Sequence, residues 1–191
     1  MTPTPARSWL FTPGDRADRF EAAQDSGADA MILDWEDAVA PAAKAESRTV
    51  VLDWLNVSTR GPAVWVRIND RRSDYWHDDL TALAAASAHR LAGVVLPKTQ
   101  SGCDIADTAA HLRGGIAIVA LIETALGVES ATEIAGTPGV LALALGSADL
   151  RLDAGLGDDD TGWIYPRSRL VFASRAAGLQ APHRRTRDAP G

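Results

Sequence analysis

The chain has 191 residues, of which 46% are hydrophobic and 23% charged, and its formal net charge is −6. That length suits one domain with a sizeable core, and the acidic balance offers no basic field for nucleic acid. Cys103 is the single cysteine, which excludes an internal disulfide and a cysteine-based zinc centre. No apolar run approaches the roughly 20 residues of a membrane span, so a cytoplasmic protein with no membrane or nucleic-acid partner is expected.

Short apolar runs alternate along the chain with longer, Ala-rich amphipathic stretches. Ser8–Thr12 reads as the first strand. Asp15–Ser26 follows as a helix, with Asp15 as N-cap and Gly27 as stop. Ala30–Leu33 is the second strand and Ala42–Leu55 its helix. Ala63–Ile68 then precedes helix His77–Ala88, and Gly93–Leu96 precedes helix Ser101–Leu112, with Ser101 as N-cap. Ile116–Ile122 is followed by helix Gly127–Ala135, with Gly136 as stop. Val140–Leu145 is the sixth strand, and Tyr165–Gly178 the last expected helix. The runs are mostly apolar on both faces, as in strands of a covered parallel sheet, and their alternation with helices predicts βαβ units.

Polar residues gather where each strand ends. They are Asp15-Arg16, Asp34-Trp35-Glu36-Asp37, Arg67-Ile68-Asn69-Asp70, Lys98, Glu123-Thr124 and Ser147-Ala148-Asp149. Six strands contributing at one end favour a barrel over a doubly wound sheet, which concentrates its ligands at one switch point. A full (β/α)8 barrel typically takes about 250 residues. The expected fold is therefore α/β, a (β/α)8 TIM-barrel type truncated after about six βα units. Residues 1–182 would form one incomplete barrel domain and 183–191 an irregular tail. Strands one and six would be open edges that invite association.

Glu123 and Asp149 follow neighbouring strands. Two converging carboxylates suit Mg2+, which takes oxygen ligands and keeps water or substrate on its remaining positions. Capping a helix or pairing with an arginine is the plainer alternative. Glu36 and Asp37 could hydrogen-bond metal waters, or serve as a turn cap and an ion-pair partner, while Asp34 could pair with an arginine. Arg67 could grip a carboxylate and stabilise a developing enolate, or form a structural salt bridge to Glu36 or Asp37. Arg16 could bind an anion or lie on the surface. Lys98, with Lys44 one of only two lysines, opens a Schiff-base reading. The four histidines show no metal-ligand spacing, and the six tryptophans suit packing better than a stacking platform.

Several segments together resemble the citrate lyase β-subunit-like family of CoA-ester lyases, within the HpcH/HpaI aldolase superfamily. They are Ser8–Arg16, Gly27–Val39, Val66–Asn69, Val95–Lys98, Leu121–Ala125 with Gly127, and Gly146–Leu150. The resemblance implies Mg2+ on Glu123 and Asp149, with Arg67 on the substrate's oxo or carboxylate oxygens and Glu36 and Asp37 near the metal waters. It implies cleavage of a 3-hydroxy-3-carboxyacyl thioester of the citryl-, citramalyl- or malyl-CoA type, on CoA or an acyl carrier, to a 2-oxo acid and an acetyl thioester. Arg16, Lys98 and Glu123 are the further expected substrate contacts, and a homo-oligomer, trimer or hexamer, is implied. A 2-oxo-acid aldolase and a truncated, catalytically silent binding subunit are the alternatives.

Overall fold

The second apolar run forms β2, Ala30–Asp34, and all five of its residues are buried. It lies parallel to β1, Trp9–Pro13, on one side and to β3, Ala63–Arg67, on the other. A strand hydrogen-bonded on both edges and covered on both faces must be apolar throughout, which is why this run does not alternate. The register places Asp34 beside Pro13 in β1 and beside Arg67 in β3. The computed structural model describes residues 6–85, 90–112, 115–157 and 159–180.

The chain divides into two compact units, one ending at Val94 and one beginning at Val95. The first contains β1 to β3 and helices α1 (Phe20–Gln24), α2 (Lys44–Val57) and α3 (Trp76–Ala85). Its core includes Phe20, Met31, Leu33, Trp35, Val51 and Leu80, each without exposed surface. Full burial of such a side chain contributes roughly 1.5–3 kcal/mol. Strand β4, Leu91–Leu96, runs across the division.

The second unit contains α4 (Gly102–His111), β5 (Ala117–Ile122), α5 (Ala125–Glu129), α6 (Ala131–Gly136), β6 (Val140–Leu145), α7 (Ser147–Ala154) and α8 (Thr161–Ala176). Strands β5 and β6 are parallel and pair Ile122 with Leu145. Ile105, Ile118, Ile122, Ile134 and Leu143 are fully buried in this unit. Among the described residues, no helix is long and apolar enough to cross a membrane.

All six expected strands form in order, and the alternation with helices holds. Several helices differ from expectation. Asp15–Ser26 becomes a 3-10 turn, Ala17–Arg19, followed by the five-residue α1, and Arg16 rather than Asp15 occupies the N-cap without a side-chain cap bond. Gly127–Ala135 is two helices broken at Ser130, and α5 starts two residues early, where the Thr124 hydroxyl accepts the Gly127 N–H. Helix α7 has no counterpart among the predicted helices; eight residues are too few for an apolar period to show. Helix α8 starts at Thr161, four residues before the predicted Tyr165, and tolerates Pro166. Ser101 caps α4 as predicted, in a reciprocal capping box with Asp104. Residues 183–191, the end of the predicted helix His77–Ala88, His89 and His183 lie outside the described residues.

Candidate functional site

In the first unit, the ends of β2 and β3 bring three acids around one guanidinium. Because Asp34 and Arg67 are register partners, their side chains leave the sheet on the same face. Arg67 Nε donates to Asp34 Oδ1 at 2.7 Å and Nη2 to Oδ2 at 2.5 Å, a bidentate pair. Its Nη1 lies 2.8 Å from Glu36 Oε2 and 3.4 Å from Asp37 Oδ2. The guanidinium also sits 4.9 Å from the centroid of the Phe11 ring. Burial works against its charge, but the hydrogen bond and charge of Asp34, then Glu36 and Asp37, outweigh burial and raise its pKa further.

Asp34 also accepts from the backbone N–H groups of Glu36, at 2.9 Å, and Ala38, at 3.3 Å. It thus organises the turn that carries Glu36 and Asp37. Lys44 fixes the same turn from α2, donating from Nζ to the carbonyls of Trp35, at 2.7 Å, and Glu36, at 2.9 Å. Burial pushes its ammonium pKa down, against the opposing pull of Asp79, Asp34, Glu36 and Asp37. Gly14 approaches from the end of β1 and donates its N–H to the Asp34 carbonyl at 2.8 Å. A side chain there would meet that carbonyl at 2.8 Å and the Ser47 hydroxyl at 2.7 Å, so glycine is the residue that fits.

In the second unit, Glu123 and Asp149 both reach Lys98. Glu123 is buried at the end of β5, and its Oε1 accepts the Lys98 backbone N–H at 2.9 Å. Lys98 there has φ 48°, a left-handed conformation uncommon for a residue with a side chain. Lys98 Nζ in turn lies 3.2 Å from Asp149 Oδ2, with both side chains 30% exposed. Gly146, the N-cap of α7, lies directly against Glu123; a Cβ there would stand 2.2 Å from Oε2. Its N–H donates to the Ile122 carbonyl at 3.0 Å, which ties the start of α7 to the end of β5.

The expected residues therefore fall into two groups. Arg67, Glu36 and Asp37 meet in the first unit, and Glu123, Asp149 and Lys98 in the second. Arg16 instead forks onto Asp18 at 2.8 and 2.7 Å, on the surface. The sequence reading missed Lys44 as an organiser and missed the buried network of Asp79. Asp79 accepts from Arg48 Nε at 2.6 Å and from the Asn69 backbone and side-chain N–H groups at 2.7 Å each. The visible signal was the spacing of Lys44 and Arg48 by four residues on a predicted helix, which puts both on one face.

Among the described residues, no group of three or more His, Cys, Asp or Glu side chains could hold a metal ion. Two carboxylates are nonetheless a fitting donor set for Mg2+, a hard cation that commonly takes one or two and leaves its other positions to water or substrate. Glu123 supplies a buried, oriented carboxylate, and Asp149 a partly exposed one through which those positions could be reached.

The sequence matches the family described as HpcH/HpaI aldolase/citrate lyase over residues 7–184. It is 36% identical to a citrate lyase subunit β-like protein of Deinococcus radiodurans, covering 94% of this chain and 65% of that protein. A (3S)-malyl-CoA thioesterase of Cereibacter sphaeroides is 35% identical, with 92% of this chain and 61% of the relative covered. An L-malyl-CoA/β-methylmalyl-CoA lyase of the same species is 32% identical, with 92% and 64% covered. The chain thus spans 61% to 65% of the length of these relatives.

Among solved structures, a Mycobacterium tuberculosis citrate lyase β subunit complexed with oxaloacetate and magnesium superposes with a TM-score of 0.79 at 31% identity, covering 94% of this chain and 78% of that one. The CitE protein of the same organism, in complex with magnesium, acetoacetate and coenzyme A, gives a TM-score of 0.77 at 31% identity, covering 94% and 65%. With its parallel strands and alternating helices sharing the α/β barrel-type fold of those structures, the chain belongs to the HpcH/HpaI aldolase/citrate lyase family.

Proposed function

We propose that this chain carries the site of a Mg2+-dependent carbon–carbon lyase acting on a 3-hydroxy-3-carboxyacyl thioester of the citryl-, citramalyl- or malyl-CoA type. The observation that carries the reading is the convergence of Glu123 and Asp149 on Lys98, in a family whose solved members hold magnesium with small oxo acids. In the reaction, the hydroxyl group loses its proton and becomes the carbonyl of a 2-oxo acid as the adjacent carbon–carbon bond breaks. The bonding electrons pass to the thioester fragment as an enolate, which takes a proton to give the acetyl thioester.

Glu123 and Asp149 would hold the cation, whose contribution is Lewis-acid polarisation of substrate oxygen. Arg67 is assigned the oxo or carboxylate oxygens of the substrate, a task for a planar, permanently charged donor. Glu36 and Asp37 share its Nη1 and would accept hydrogen bonds from ordered water. Lys98 and Arg16 are assigned the remaining negative charge of the substrate. A homo-oligomer is the proposed assembly, checked by solution mass.

The test is cleavage of malyl-CoA, citramalyl-CoA and citryl-CoA by the purified chain with Mg2+, following the 2-oxo acid and the acetyl thioester separately. Glu123→Gln should reduce cleavage by about two orders of magnitude or more. Equal cleavage by both proteins would remove Glu123 from the reaction. Thioester hydrolysis is the second reading, favoured by the 35% identical thioesterase. Release of free CoA with the hydroxy acid intact would select it. Mg2+ binding without either product would select the binding-subunit reading.

A further inference from the structure

Asp149 and Asp153 lie four residues apart on α7, so their side chains project from the same face of the helix. Asp153 has a specific partner: its Oδ2 accepts the Ala125 backbone N–H at 2.6 Å. Ala125 is the first residue of α5 and stands two positions after Glu123. Its amide is one of the N-terminal donors for which a helix provides no internal acceptor. Thr124 satisfies another, accepting the Gly127 N–H at 3.1 Å. Asp153 therefore binds the turn that carries Glu123, while Asp149 lies one helical turn away on the same face.

The other end of α7 is tied to the same place. Gly146 donates to the Ile122 carbonyl at 3.0 Å and packs against the Glu123 carboxylate. A helix held at its start alone can still rotate or tilt about that point. Leu150 on α7 is buried, and a second polar tie one turn beyond Asp149 restricts that freedom further. The helix ends immediately afterwards, at Gly155 in the left-handed conformation with φ 62°. The anchor thus sits on the last turn of α7, where fraying would otherwise start.

We infer that Asp153 is a positioning residue: through the Ala125 amide it locks α7 against the Glu123 turn and so fixes the separation of the two carboxylates, Glu123 and Asp149, that take Mg2+. This rests on the metal reading of that pair. A purely structural role would be a cap on α5, affecting stability and leaving metal affinity alone. Loss of an outer partner that orients a ligand typically lowers metal affinity by about 10–100-fold.

The experiment is calorimetric titration of the full chain with Mg2+, alongside Asp153→Ala, Asp153→Asn, Glu123→Gln and Asp149→Asn, with metal-free thermal unfolding of each. The expected result is little or no binding by the Glu123 and Asp149 variants, a loss of about tenfold or more for Asp153→Ala, and near wild-type affinity for Asp153→Asn. The asparagine keeps an oxygen acceptor for the Ala125 amide and removes only the charge. If Asp153→Ala fails to fold, Asp153→Ser, too short to reach the amide, should show the same loss. Wild-type affinity in the alanine or serine variant, with Glu123→Gln inactive in binding, overturns the inference and leaves the metal reading standing. Equal weakening by alanine and asparagine also overturns it, because charge and not the anchor would be responsible. Unchanged binding by Glu123→Gln sinks the metal reading, and the Asp153 inference falls with it.

Discussion

Arg67 has three carboxylate neighbours, and they are not equivalent. Asp34 is 1% exposed, takes two of the guanidinium's donors and also holds two backbone amides, whereas Asp37 lies at 3.4 Å with its side chain largely in solvent. Asp34→Ala should therefore cost stability, by about 3 kcal/mol, since it removes the bidentate partner of a buried guanidinium and frees the following turn. Denaturant unfolding measures that cost, and Asp37→Ala should show little of it. Lys98 gives a second prediction at this scale. Its ammonium is held 3.2 Å from the Asp149 carboxylate, and a protonated, ion-paired amine is a poor nucleophile. Incubation with pyruvate and borohydride should leave no adduct on Lys98 by mass spectrometry. A stable adduct there would replace the metal-dependent lyase with an imine-forming aldolase.

Short helices after β5 and β6 carry the parts of the second group, and their starts matter more than their lengths. Gly146 is the N-cap of α7 and has no room for a side chain: an added Cβ would meet Glu123 Oε2 at 2.2 Å and Glu123 Cβ at 2.6 Å. Gly146→Ala must displace Glu123 or the start of α7, so Mg2+ affinity should fall by about tenfold. Calorimetry with Mg2+ checks this, with circular dichroism to show that the fold persists. Unchanged affinity would mean that the Glu123 carboxylate moves aside without consequence. Helix α4 offers a contrasting case. Its capping box, Ser101 with Asp104, carries no proposed chemistry, and Ser101→Ala should cost about 1 kcal/mol of stability while leaving Mg2+ binding unchanged.

For the molecule as a whole, acid stability is set by carboxylates that pull in opposite directions. Asp29 accepts from the backbone N–H groups of Arg7 and Ser8 and from the Ser8 hydroxyl, which lowers its pKa. Asp18 and Asp25 are lowered by their hydrogen bonds to Arg16 and Arg60. These groups stabilise the fold above their unfolded values, and that contribution is lost as pH falls through their lowered folded values. Asp79 does the reverse. Burial raises its pKa despite the hydrogen bonds from Asn69 and Arg48. The folded chain therefore binds its proton more readily than the unfolded chain, and stability declines as pH rises from the unfolded to the folded value. The thermal midpoint of the wild type should fall on acidification, and Asp79→Asn should make that fall steeper across the upper part of the carboxylate range. A shallower profile in the variant would contradict the assignment.

The sequence by itself determined the six strands, their parallel pairing through intervening helices, and the gathering of Arg67, Glu36, Asp37, Lys98, Glu123 and Asp149 after strand ends. Burial imposes an apolar run wherever a strand is covered on both faces, as in β2, and that signal is local to the run. Helix ends were less legible. Asp15 had the chemistry of a cap but not the geometry, and α7 was too short to show a period. Only the tertiary structure decided the partners. The register of β2 and β3 assigned Arg67 first to Asp34, for which the sequence suggested an arginine partner without saying which one. The ends of β5 and β6 brought Gly146 against Glu123, and the left-handed turn at Lys98 presented its amide to one carboxylate and its ammonium to another. Such partnerships depend on residues distant in sequence reaching the same point in space, and no local pattern of side chains encodes the distance between them.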